Sequence, residues 1–283
     1  MAQETGLLVT QRAYVLTIRD PLKKRMHVGV ARCSDSVGLP VPVRSIQGRW
    51  HGAWCGPAAT LGDAVGGDMV DAMYREPNAF LDSDHPRVRA FAEAHGQGAT
   101  EVERAVALYD VVRDHWRYNP YNIATDPADY AASAVLARDV TLGAHCIDKA
   151  CVLAACARAL GIPSRMHYAN VRNHIGTAKL EAQLGTDLLV YHGYCELFLE
   201  GRWVAATPAF NAGLCEKLGV APLAFDGRED SVFQPFDRKA GAFMEYVQDH
   251  GTHPGIPVND MFAAWEHHYG SYAVNGWGKN HAD

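Results

Sequence analysis

A cysteine at the start of a predicted helix and a histidine in a later predicted strand are the residues best suited to chemistry. Cys146 lies within residues 143–150 (Gly-Ala-His-Cys-Ile-Asp-Lys-Ala), and His192 lies within residues 189–194 (Leu-Val-Tyr-His-Gly-Tyr). The unpaired N–H groups and the positive dipole end of a helix N-terminus favour a thiolate over a thiol. A thiolate with an imidazole partner is the working pair of cysteine-based acyl transfer.

A third group is suggested by the hairpin that we predict around His192. Residues 188–199 and 202–207 read as antiparallel strands joined by a two-residue Glu-Gly turn. In that register Thr207 shares a face with His192 and lies diagonal to it, because side chains alternate along a strand. The Thr207 hydroxyl could then accept a hydrogen bond from the imidazole N–H and orient the ring. Asn211 has the same parity if the pairing continues past Pro208.

The surrounding elements form an α+β pattern, with helices mainly before the Cys146 segment and strands mainly after it. Thr100 followed three residues later by Glu103 is a capping-box pattern, which marks one of the helix starts. The predicted helices cover residues 84–94, 100–118, 131–138, 146–160 and 258–269, and the predicted strands cover residues 7–18, 163–171, 188–199 and 202–207.

The composition indicates a globular protein and argues against two classes of partner. The 283 residues are 48% hydrophobic and 20% charged, which suits a substantial buried core. A net charge of -6 without blocks of like charge disfavours nucleic acid and an anionic membrane surface. No signal-peptide pattern and no apolar run of membrane-spanning length is present. The seven cysteines, an odd number, predict free thiols and a cytoplasmic location.

Residues 1–72 differ in composition from residues 73–283. All nine phenylalanines lie in the second segment, whereas the first holds nine glycines and four prolines. Little apolar surface recurs in the first segment at a helical or strand period, so little burial offsets its ordering entropy. Two interpretations stay open. Residues 1–72 are either a disordered or over-extended start that adds little to the fold, with Met69 or Met73 as the native start, or a small added domain.

Residues 73–283 resemble the transglutaminase-like superfamily of cysteine enzymes, which includes transglutaminases, peptide N-glycanases and bacterial proteins regarded as cysteine proteases. The resemblance to that bacterial subgroup extends to residues 206–211 and 225–231. It implies an α+β fold with a transglutaminase-like or papain-like core, in which the cysteine helix packs on an antiparallel sheet with further helices outside. The motifs that carry it are residues 143–150, 158–165 (Arg-Ala-Leu-Gly-Ile-Pro-Ser-Arg), 191–197 (Tyr-His-Gly-Tyr-Cys-Glu-Leu) and 201–204 (Gly-Arg-Trp-Val).

By this resemblance Cys146 matches the family nucleophile and His192 matches its general base. The family's third residue is usually an aspartate before a proline, and Thr207 occupies that place, with Asn211 as the alternative. A hydroxyl can orient imidazole but offers no charge to the imidazolium. The resemblance implies attack on a peptide or amide substrate, by hydrolysis or transamidation, without a cofactor or a metal. The missing aspartate also leaves open a non-catalytic binding or scaffold module.

The neighbouring thiols and imidazole have simpler interpretations. Cys151 and Cys156 follow Cys146 by five and ten positions, so the three do not share a helix face and make a poor metal cage. We expect Cys151 and Cys156 in the core. His145 is expected to cap the helix or to lie at a solvated surface.

Overall fold

The computed structural model describes residues 72–173, 178–232 and 244–270 and, before them, the backbone of short strands. The chain divides into two compact units, Met1–Gly66 and Gly67–Asp283. In the first unit, the strands pair antiparallel in two hairpin-like ladders: β1 (Arg12–Arg19) with β2 (Met26–Cys33), and β3 (Val43–Arg44) with β4 (Trp50–His51). The strand predicted over residues 7–18 overlaps β1, and its first residues lie outside the described part.

The second unit has an α+β fold, as predicted, built on a four-stranded antiparallel sheet in the order β7-β6-β5-β8. Its strands are β5 (Ser164–Asn173), β6 (Leu188–Leu199), β7 (Arg202–Ala206) and β8 (Met244–His253). Its α-helices are α1 (Pro86–His95), α2 (Glu101–His115), α3 (Ala132–Val135), α4 (Cys146–Ala159), α5 (Ala178–Leu184), α6 (Ala212–Leu218) and α7 (Val258–Tyr269).

Local sequence signals explain where several of these elements begin and turn. The predicted capping box is confirmed at α2, where the Thr100 side chain accepts from the Glu103 N–H and the Glu103 carboxylate accepts from the Thr100 N–H. The predicted turn between β6 and β7 is also confirmed. Glu200 and Gly201 have φ values of +50° and +85°, as a tight hairpin with two left-handed residues requires.

Helix α4 lies at the centre of the unit and packs on β6, β5 and helices α1, α2 and α3. Every residue from Ile147 to Arg158 is buried, because the helix is surrounded on all sides. The buried Arg158 guanidinium donates to three backbone carbonyls, so its charge has partners without a carboxylate. Cys151 and Cys156 are fully buried, which confirms their predicted place in the core.

The structure corrects the predicted strand pairing beyond Ala206. The last pair of β6 and β7 is Cys195 with Ala206, and the Thr207 N–H instead donates to the Ser231 carbonyl at 2.9 Å. The prediction that Thr207 continues the ladder is therefore wrong, because a segment distant in sequence takes its backbone donor. The pairing does not reach Asn211 either, since that residue is the N-cap of α6. Helices α5 and α6 and strand β8 were not predicted.

Candidate active site

Cys146 is the first residue of α4, and the residue before it fixes that start. His145 Nδ1 accepts a hydrogen bond from the Asp148 N–H at 3.1 Å, and the Asp148 carboxylate accepts from the His145 N–H at 3.4 Å. This reciprocal arrangement is a capping box with histidine in place of serine or threonine. The capping interpretation of His145 is confirmed. It leaves the Cys146 side chain half-buried at the helix tip.

Strand β6 approaches the start of α4 very closely at Gly193. A Cβ atom there would lie 2.9 Å from Ile147 Cγ1 and 3.1 Å from Tyr168 Cε1, closer than packed carbon atoms allow. The absence of a side chain lets the Gly193 N–H reach the Cys146 sulfur, which the Ile147 N–H also approaches. Because Gly193 directly follows His192, this contact ties the thiol to the strand that carries the imidazole.

A β-bulge in β6 immediately precedes His192. Val190 and Tyr191 together stand opposite the single residue Asn170 of β5. Tyr191 has a φ of +57°, a left-handed conformation that is uncommon for residues other than glycine. Because of the extra residue, Leu189 and His192 lie on the same face of the sheet although three positions separate them. The bulge therefore sets which side chains accompany the imidazole.

Side chains from two other elements satisfy the backbone groups that the bulge releases from the ladder. The Tyr191 N–H donates to Asn170 Oδ1 at 3.0 Å. The Val190 N–H donates to the Tyr269 hydroxyl at 2.6 Å, and Trp265 Nε1 donates to the Val190 carbonyl at 2.8 Å. Buried backbone groups without such partners would cost about 1–3 kcal/mol each. Helix α7 and β5 thus hold the left-handed conformation in place.

Electrostatically, Cys146 and His192 form a neutral pair. Burial raises the pKa of the Cys146 thiol to about 11, although the Gly193 and Ile147 N–H groups act in the opposite direction. Burial, with a smaller contribution from the nearby His145, lowers the pKa of His192 to about 4. At neutral pH the site therefore holds a thiol and a neutral imidazole. The expectation of a preformed thiolate is wrong, because desolvation outweighs the helix N-terminus.

The residues expected to orient His192 make no hydrogen bond to it. His192 Nδ1 and Thr207 Oγ1 are both buried, and neither has a hydrogen-bond partner. Asn211 Oδ1 instead accepts from the Tyr118 N–H at 2.9 Å, which commits that oxygen to the backbone after α2. Among the described residues, the structure thus places Cys146 and His192 on one cavity but leaves Nδ1 without a bonded third residue.

Cys146 and His192 both line one cavity, which is open to solvent. The bulged stretch 189–192 contributes four consecutive lining residues, which a flat strand with alternating side chains could not supply. Residues of α4, α5, α7 and the segment after α2 complete the wall. The lining side chains are Tyr118, Pro120, Ile123, His145, Cys146, Ile147, Leu180, Leu184, Leu189, Val190, Tyr191, His192, Trp265 and Tyr269.

Sequence reasoning missed the buried Lys149 and the α7 pair of Trp265 and Tyr269. The Lys149 ammonium donates to the carbonyls of Arg113 and Ala209, both at 2.8 Å, and burial lowers its pKa to about 7. It thereby ties α4 to the segment that follows Thr207. A lysine inside an apolar helix was a visible signal for such a role. The spacing of Trp265 and Tyr269, four residues apart on a predicted helix, indicated a shared face but not its partner.

No group of three or more histidine, cysteine, aspartate or glutamate side chains within residues 72–173, 178–232 and 244–270 is arranged to hold a metal ion. In the same part of the chain, every helix is too short or too polar to span a bilayer.

The candidate site lies in the part of the chain that matches a known family. Residues 89–208, which include Cys146, His192 and Thr207, match the model of the transglutaminase-like superfamily. A solved structure from Cytophaga hutchinsonii, described as a "putative cysteine protease", is 16% identical with a TM-score of 0.36. The match covers 66% of this chain and 55% of that one, so it spans about half of the neighbour's length. No curated protein matches the sequence.

Proposed function

We propose that this chain, whose residues 89–208 match the model of the transglutaminase-like superfamily, is a thiol-dependent enzyme acting on a peptide or amide substrate. Cys146 is the nucleophile, and the acyl group passes to water or to an amine. The observation that carries the proposal is the shared cavity, in which Cys146 and His192 both lie and where the Gly193 N–H meets the sulfur.

The neutral pair determines how the proton moves in the proposed reaction. As the Cys146 sulfur attacks the carbonyl carbon, His192 accepts the thiol proton, which a neutral imidazole with a pKa of about 4 is free to do. The C–N bond then breaks, and His192 returns the proton to the leaving amine. Water or a second amine attacks the resulting thioester and releases Cys146. The N–H groups of Gly193 and Ile147 favour the negative charge that develops on sulfur.

We retain Thr207 as the candidate third residue of this site. Its Oγ1 and His192 Nδ1 are both buried and both without a partner, so a hydrogen bond between them in the substrate complex would satisfy both groups. Nδ1–H would then face Thr207, and Nε2 would be the atom that accepts the thiol proton.

A binding module without chemistry is the competing function, and two observations favour it. The Cys146 thiol is protonated at neutral pH, and His192 lacks a bonded orienting group. Such a site would leave the sulfur no more reactive than an ordinary buried thiol.

Acylation by p-nitrophenyl acetate separates the two functions, because the acetyl group is too small to depend on a side-chain pocket. Acetylation of Cys146 in the full chain is measured by the release of p-nitrophenolate and by intact mass. Cys146→Ser is the blank, and Cys215→Ala is the matched cysteine control. We expect stoichiometric acetylation that slows by about 10²-fold or more in His192→Gln. Acetylation that ignores the His192 substitution would support the binding module.

A further inference from the structure

Two helices contribute apolar side chains to the cavity beside Cys146. Leu180 and Leu184, four residues apart, turn one face of α5 toward it, and each is only 6% exposed. Trp265 and Tyr269 form the equivalent pair on α7.

No described lining residue carries a carboxylate, an ammonium or a guanidinium. The two charged residues of α5, Lys179 and Glu181, are not among the lining residues, and the exposed Lys179 ammonium lies 5.4 Å from the centre of the Tyr121 ring. A charged substrate side chain that entered the cavity would therefore lose water without meeting an opposite charge, which is strongly unfavourable.

The polar atoms on the α7 wall already have protein partners. The Tyr269 hydroxyl accepts from the Val190 N–H and donates to the Leu188 carbonyl, and Trp265 Nε1 donates to the Val190 carbonyl. These two side chains therefore have little hydrogen-bonding capacity left for a substrate carboxamide, and they present ring surface to the cavity.

Two residues that line the cavity carry an unpartnered ring nitrogen, His192 Nδ1 and His145 Nε2, and His145 lies beside the nucleophile. His145 Nδ1 accepts the Asp148 N–H, so Nε2 carries the ring proton, and Nε2 is buried without a partner. Because His145 directly precedes Cys146, this donor belongs to the end of the cavity where the acyl carbonyl must lie. The cavity is thus polar at the sulfur and apolar beyond it.

From this distribution we infer that the site accepts acyl groups with an aliphatic or aromatic side chain and rejects those with a charged one. The inference rests on the proposed role of Cys146 as acyl acceptor. In the acylation step the Sγ–C bond forms, the C–N or C–O bond to the leaving group breaks, and the thiol proton passes to His192.

Three p-nitrophenyl esters test this selectivity on the full chain: acetate, hexanoate and the monoanionic hemisuccinate. The rate of the Cys146-dependent p-nitrophenolate burst is divided by the rate of each ester with free cysteine. We expect hexanoate to exceed hemisuccinate by about 10-fold or more, the scale of one or two methylene contacts in an apolar pocket. Leu184→Lys should reduce or reverse that ratio. Ala182→Lys, which adds the same charge on the exposed face of α5, should preserve it.

The outcomes separate the two proposals. A burst of equal normalised rate with all three esters, or a ratio that Leu184→Lys leaves unchanged, would overturn the pocket assignment while leaving the thiol chemistry intact. No Cys146-dependent burst with any ester, acetate included, would overturn both. If Leu184→Lys does not fold, Ile123→Lys places the same charge at the cavity from a segment outside the helices, with the same expected result.

Discussion

The Val190 N–H donates a 2.6 Å hydrogen bond to the hydroxyl of Tyr269, a residue 79 positions later in the chain. The same hydroxyl donates to the Leu188 carbonyl at 2.9 Å, so one side chain bonds both to the bulge and to the strand residue two positions before Val190. His192 follows two residues after Val190. The position of the proposed base therefore depends on a helix that contributes no proposed catalytic group.

Removal of this hydroxyl in Tyr269→Phe should lower the burst rate with p-nitrophenyl acetate at saturating ester by about 10-fold. The phenyl ring still fills the cavity wall, but the Val190 N–H loses its acceptor, at a cost of about 1–3 kcal/mol in stability. Tyr130→Phe is the matched control, since its hydroxyl bonds to the Ala124 carbonyl. The control should lose comparable stability in urea unfolding while its burst rate at saturation stays near wild type. Equal burst rates for both variants would contradict the positioning role.

Gly193→Ala should separate α4 from β6. The added methyl group would lie 2.9 Å from Ile147 Cγ1, and such overpacking costs about 1–3 kcal/mol. We expect reduced stability together with a loss of Cys146 acylation, because the Gly193 N–H moves away from the sulfur. Gly213→Ala in α6 is the control, where the new atom meets only Asn211 Nδ2 at an ordinary 3.5 Å. Full acylation in a Gly193→Ala protein would show that the close approach is not required.

Thr207→Val tests the third residue with little change of shape. If the hydroxyl orients His192 in the substrate complex, the acylation rate constant should fall by about 10-fold, the equivalent of about 1.4 kcal/mol. Thr207→Ser keeps a hydroxyl and should retain most of the rate. Because Thr207 Oγ1 has no partner in the free protein, the thermal stability of Thr207→Val should not decrease. An unchanged rate would remove Thr207 from the site.

The pKa values of the neutral pair predict the pH dependence of acylation. His192 must be unprotonated to accept the thiol proton, so the rate should fall only as the pH drops through its pKa of about 4. Between pH 6 and pH 9 the burst rate of the wild type should be nearly flat. In His192→Gln only the thiolate reacts, and the rate should rise with pH up to the Cys146 pKa of about 11. An inflection near pH 6.5 in the wild type would argue against a buried neutral base.

A second histidine, His167, makes the stability of the fold depend on pH. Its contribution is larger at low pH, whereas the acylation rate is predicted to fall at low pH. Although burial acts against it, hydrogen bonds to Glu196 and Asp249 at 2.5 and 2.7 Å raise the pKa of His167. Because the pKa of His167 is raised, its contribution to stability is fully present below the unfolded-state pKa of about 6.5. That contribution is lost as the pH rises through the folded-state pKa. His167→Gln should therefore destabilise the protein by about 1–2 kcal/mol at pH 5.5 and by less at pH 9.

Urea unfolding at the two pH values measures this difference. The exposed His267 provides the control substitution, His267→Gln, which should change stability little at either pH. A larger loss for His167→Gln at pH 9 than at pH 5.5 would contradict the predicted sign.

Short-range patterns in the sequence predicted much of the framework. The bounds of β6 and α7, the Glu200–Gly201 turn and the capping box at Thr100 all depend on residues within a few positions of one another. The sheet register close to the turn follows from the turn itself. Such features are readable because local backbone preferences and side-chain periodicity decide them.

The features that the sequence did not predict depend on contacts between segments that are distant in the chain. Local sequence patterns carry no information about such contacts. Thr207 leaves the ladder because Ser231 takes its N–H, and the bulge at Val190 is held from α7. The prediction of a preformed Cys146 thiolate was wrong for a related reason. A helix start is visible in the sequence, whereas the burial of Cys146 by surrounding elements is not, and burial is the larger influence on its pKa.

The bulged stretch 189–192 supplies both the proposed base and one wall of the acyl pocket. Changes to substrate range that are introduced through Leu189, Val190 or Tyr191 would therefore also displace the imidazole, so new selectivity there would come with altered turnover. Leu180 and Leu184 belong to a separate helix and contact the pocket without holding the base. Variation that broadens or narrows the set of accepted acyl groups is thus expected to accumulate on α5.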